Sequence, residues 1–215
     1  MKILVTTLLI TLTIGTMANE KFEKVMGENI AKMFGAQDHA ALTATINQLV
    51  RIGDAEKDKW EPYYYAAFGY IRLMQMNQDK SIQDQHLTAG LEQIEKADKI
   101  KPNESEITAM RGFIYMMQLT VDPASRGQQY SGMAFEQFQK ATAQNPENPR
   151  AQYLLGQMQL GTAQFFGGGD GGSCATFEKA QTLIEREQLK SPIAPSWGID
   201  GIIQALEGCK GNSEG

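Results

Sequence analysis

Apolar positions recur along this chain at the three-to-four-residue spacing of helices that bury one face, in stretches separated by short polar breaks. Between Glu104 and Leu119 the residues Ile107, Met110, Ile114 and Met117 fall at helical spacing, and between Met133 and Gln144 Ala134, Phe138 and Ala141 form a second stripe. Asn145-Pro146 ends that second stretch, because proline has no amide hydrogen and cannot continue a helix. The two stretches predict a helix pair, and the pair recurs. Its second helix is repeated as Gly90, Ile94, Ala97, Pro102, as Ala134, Phe138, Ala141, Pro146, and as Ser173, Phe177, Ala180 without the proline. Its first helix is repeated around Tyr65, Phe68, Gly69, around Thr108, Gly112, Tyr115, and around Gln152, Leu155, Gly156. Gly69 to Gly112 spans 43 residues, Gly112 to Gly156 spans 44, and Pro102 to Pro146 also spans 44. Two landmarks with one period predict an all-α solenoid, in which each pair buries its apolar face against a neighbour.

The boundaries follow from the same pattern. Residues 62–190 hold three helix pairs, at about 62–104, 105–148 and 149–190. Residues 19–61 carry helical stretches at Lys21 to Phe34 and Asp38 to Ile52 that do not fit the repeat and are read as an N-terminal cap. Residues 191–215 hold a C-terminal capping helix, with Trp197, Ile199, Ile202, Ile203 and Leu206 on its apolar side, and a tail. Met1-Lys2, the apolar run Ile3 to Ile14 and the small residues up to Ala18 have the pattern of a signal peptide at residues 1–18. The run is too short for a comfortable transmembrane helix, so the expected product is periplasmic or secreted, with no integral membrane segment.

The small-x3-Phe-x2-Ala-x4-Pro motif, preceded by a Leu-Gly helix, resembles the tetratricopeptide repeat, with Asn145-Pro146-Glu147-Asn148-Pro149 to Gly156 as its clearest junction. The family unit has about 34 residues, so each unit here is longer. Gly69 to Gly90 is 21 residues, Gly112 to Ala134 is 22 and Gly156 to Ser173 is 17, against about 12 in the family. The extra length is read as lengthened connections within the pairs, centred on Asn77 to Lys80, Asp122 to Gly127 and Gly167 to Gly172. Trp60-Glu61-Pro62-Tyr63-Tyr64-Tyr65, Asp122-Pro123, Phe166-Gly167-Gly168-Gly169 and Pro195-x-Trp197-Gly198 are further similar to a group of uncharacterised exported bacterial tetratricopeptide proteins.

That resemblance implies a concave groove lined by the first helix of each pair. Carried over, the groove comprises Tyr63, Ala66, Tyr70, Leu73 and Met74; then Glu106, Ala109, Phe113, Met116 and Met117; then Arg150, Tyr153, Gln157, Leu160 and Gly161. Aromatic and methionine side chains suit an adaptable surface for a peptide or helix, with Arg150 placed to hold an acidic group. The other reading is that the chain itself fills the groove and makes these residues core.

Composition narrows the function classes. Losing residues 1–18 removes one lysine and leaves 19 basic against 25 acidic residues, interspersed along helices, so no nucleic-acid partner is expected. Cys174 and Cys209 are the two cysteines, and in an exported chain they are expected to form a disulfide, with two free buried thiols as the alternative. The glycine-rich stretch Gly167 to Gly172 lacks the lysine and hydroxyl of a phosphate loop, and Asp170 alone makes no calcium loop. His39 and His86 are distant in sequence and join no metal-ligand spacing, and no serine or cysteine sits in a nucleophile motif. The expectation is a non-catalytic protein- or peptide-binding scaffold of the bacterial envelope without metal or cofactor, with a small-solute-binding or transport-accessory protein as the alternative.

Overall fold

In the computed structural model, which describes residues 3–212 with side chains from 19 to 210, the helical stripes become α1 (Ile3–Gly35), α2 (His39–Ala55), α3 (Glu61–Gln75), α4 (Lys80–Ile100), α5 (Ser105–Val121), α6 (Pro123–Gln144), α7 (Pro149–Phe165), α8 (Ser173–Glu185) and α9 (Ile199–Asn212). The expected signal peptide at residues 1–18 lies outside the residues whose side chains are described. No helix among the described residues is long and apolar enough to cross a membrane. Each helix packs on the next, and α3, α5 and α7 also touch in order, which makes an inner layer of first helices and an outer layer of second helices. The fold is an all-α solenoid.

The repeat glycines allow the two layers to meet. A Cβ on Gly112 would stand 2.6 Å from the Phe138 ring, and one on Gly156 would stand 2.6 Å from Phe177. Both phenylalanines are fully buried, and burying such a ring contributes roughly 2–3 kcal/mol. In the first pair the corresponding Gly69 faces Ile46 of α2, at 2.6 Å. Here the preceding pair supplies the filling side chain.

Most of the added length of the first two units is helix. Asp79 accepts from the amides of Ser81 and Ile82, so α4 starts at Lys80. Asp122 accepts from the Ser125 amide, with Pro123 in the first turn of α6. The helix expected from Met133 therefore begins ten residues earlier, at Pro123. Only the third connection is an open loop, where Gly167, Gly169, Gly171 and Gly172 all take positive φ.

At the C-terminal end, residues 186–198 leave the outer layer and pass over the inner one before α9 begins. Trp197, expected within the last helix, belongs to this strap. Cys209 of α9 is bonded to Cys174 of α8, with sulfurs 2.02 Å apart.

Candidate functional site

The inner face is divided by the strap. On one side lies a buried polar chain that joins three successive inner helices. The Trp197 indole N–H donates to the Tyr64 hydroxyl at 2.9 Å, and Tyr64 donates to Glu106 at 3.1 Å. Arg150 Nε donates to Glu106 Oε1 at 2.8 Å, and its two terminal nitrogens donate to Glu187 of the strap. Tyr65 adds a hydrogen bond to the Ile193 carbonyl at 3.0 Å. Glu106 and Arg150 stand one repeat apart, so the period itself places opposite charges side by side. Burial pushes the Glu106 carboxyl above the usual range, and the Arg150 guanidinium opposes that rise.

The family positions place Arg150 to receive an acidic group from a partner. Its side chain is 3% exposed and is held by the chain's own Glu106 and Glu187, so no partner carboxylate can reach it without displacing the strap. A polar cleft of about 460 Å³ remains beside it, walled by Lys101, Glu104, Lys190 and Pro195.

On the other side of the strap the inner face is apolar. Phe68 of α3 and Phe113 of α5 flank Trp197, with centroids 5.0 and 6.0 Å from it, and Phe34 of α1 lies 5.3 Å from Phe68. Phe68 and Phe113 are themselves 6.2 Å apart. Four rings thus form one continuous patch, of which Phe34 is 40% exposed and the others half-buried. Met117 follows Phe113 by one helical turn, with its sulfur 4.0 Å from Gln75. Arg72 anchors the end of α1 beneath Phe34 by donating to the carbonyls of Met33 and Ala36. That contact satisfies helix-end acceptors and fixes the edge of the patch.

The expected groove residues separate into three groups. Phe113 and Met117 stand on the patch. Tyr153 is covered by α9, whose Gly201 approaches so closely that a Cβ there would meet the Tyr153 hydroxyl at 2.4 Å, and Gln157 donates to that hydroxyl at 3.2 Å. Tyr63 and Tyr70 face the outer layer instead. Tyr63 donates to Asp54 at 2.7 Å, its ring lies against Gly53, and Lys96 sits 5.1 Å above it. Burial, with Asp54 alongside, pushes its phenol up to about 12. The Tyr70 ring stacks near His86 at 6.4 Å, and Met74 is buried.

Tyr64, Phe68, Phe34, Trp197 and Glu187 escape the family positions. Only Tyr64 and Phe68 leave a trace in the sequence, in the stripe Tyr64, Phe68, Arg72 at helical spacing, and the pattern alone does not say which way that stripe of α3 faces.

No protein-family model matches the chain, and no curated protein matches it. Among solved structures it is similar to the HusA haemophore from Porphyromonas gingivalis, at 28% identity and a TM-score of 0.78, over 88% of this chain and 93% of that one. It is also similar in fold to a thermophilic TPR protein from Thermus thermophilus, at 14% identity and a TM-score of 0.54, over 82% of this chain and 90% of that one. Period, helix pairing and these likenesses agree on the fold: the chain is an all-α solenoid of helix pairs, similar to tetratricopeptide-repeat proteins.

Proposed function

We propose that the chain is a non-catalytic carrier of a planar, largely apolar ligand of the tetrapyrrole class, with haem the first candidate, and that the Phe34, Phe68, Phe113, Met117 and Trp197 patch receives it. The observation that carries this reading is the four-ring patch, left partly open on the inner face beside the strap. A flat conjugated ligand gains both area burial and stacking on such a surface. The likeness to a haemophore over nearly the whole chain supports it. A protein or peptide partner remains the second reading, favoured by the repeat fold. Against an extended peptide stands the strap, which already covers Tyr64, Tyr65 and Arg150. On this reading the carrier is exported and loses residues 1–18.

Both histidines lie on outer helices and make their ring contacts with each other and with Tyr70, not with the four rings of the patch, so recognition is proposed to fall on the ring system and not on iron held by imidazole. Titration followed at the porphyrin absorption band tests this: haem and metal-free protoporphyrin are expected to saturate the chain at affinities within about tenfold, a difference of roughly 1.4 kcal/mol. Binding of haem with complete rejection of the metal-free ring would contradict recognition by stacking.

A further inference from the structure

The chain has two histidines, and the fold brings them together. His39 opens α2 and His86 lies on α4, so the meeting joins the second helix of the N-terminal cap to the outer helix of the first repeat pair. Their ring centroids are 5.5 Å apart, with planes inclined at 49°. Thr43 Oγ1 lies 3.4 Å from His39 Nδ1, and Tyr70 stacks near His86 at 6.4 Å. His86 Nε2 is buried and has no hydrogen-bond partner. Leaving a buried polar nitrogen unpaired costs about 1–3 kcal/mol.

We propose that His39 and His86 form a two-imidazole clamp for a divalent transition ion such as Zn²⁺ or Cu²⁺. An ion about 2.0–2.1 Å from each ligating nitrogen lies about 3.2 Å from each ring centre, and two such arms opened to a near-tetrahedral angle span about 5.2–5.5 Å. The observed 5.5 Å separation falls at that span. Imidazole favours zinc and copper over calcium or magnesium, which take oxygen ligands. Among the described residues no group of three or more His, Cys, Asp or Glu side chains gathers around an ion position. Water therefore completes the coordination, and the ion is exchangeable. Binding ties α2 to α4, so the N-terminal cap is fastened to the first repeat pair as the disulfide fastens α9 to α8 at the far end.

The test uses the tag-free chain without porphyrin, so it is independent of the proposed carrier function. Calorimetric titration with Zn²⁺ is expected to give one ion per chain, and His39→Gln and His86→Gln are each expected to weaken it at least tenfold with unchanged helical circular dichroism. The Cu²⁺-loaded chain is expected to show two imidazole nitrogens by electron paramagnetic resonance. Wild-type affinity retained in either variant, or a copper spectrum with fewer than two imidazole nitrogens, overturns the clamp. His39 is exposed, so His39→Gln carries the test alone if His86→Gln does not fold.

Discussion

Arg150 illustrates how one side chain can be fully committed within its own chain. It is buried, and its guanidinium reaches Glu106 on the preceding inner helix and Glu187 on the strap. Removing one partner of a buried ion pair leaves an uncompensated charge, so Arg150→Met is expected to lower stability by about 3–5 kcal/mol. Adding Glu106→Gln to that variant is expected to restore part of the loss. Urea unfolding of the single and double variants checks both, and additive losses would contradict the pairing. Gly112 tests packing at the same scale. A Cβ there meets the Phe138 ring at 2.6 Å and Gln137 Cβ at 3.0 Å, so Gly112→Ala is expected to cost about 1–3 kcal/mol through overpacking. These roles differ in how far the sequence reveals them. The glycine and phenylalanine positions follow from the repeat itself, whereas Tyr63, Tyr64 and Tyr65 are chemically alike. Nothing in one sequence tells which of three consecutive tyrosines faces outward when a helix turns by about 100° per residue.

The strap and the two lengthened helices show what decides an element. Asp79 and Asp122-Pro123 are legible helix starts, yet comparison with the shorter family unit favours reading the added residues as loop. Residues 186–198 have no periodicity to read, because their placement comes from tertiary contacts through Glu187, Ile193 and Trp197. The disulfide holds the element that follows. Closing 35 residues of chain between Cys174 and Cys209 is expected to contribute on the order of 3–4 kcal/mol by restricting the unfolded state. Cys174→Ala/Cys209→Ala is therefore expected to lower unfolding stability by that amount and to speed amide exchange first in α9. Uniform exchange across all helices would argue against a local fastening.

For the whole molecule, the repeat makes the inner layer and the strap determines what that layer can bind. It occupies the polar end against Tyr64, Glu106 and Arg150 and contributes Trp197 to the apolar end. The central claim is that the apolar end is a tetrapyrrole site. Phe34 and Met117 belong to it and take no part in the buried ion network. Haem titration of the wild-type chain and of Phe34→Ser/Met117→Ser, read at the porphyrin absorption band with helicity monitored in parallel, tests the claim most directly. The account predicts saturable wild-type binding and at least a tenfold weaker affinity in a fully helical variant. Equal affinity in the two proteins, or no haem binding by the wild type, would contradict it.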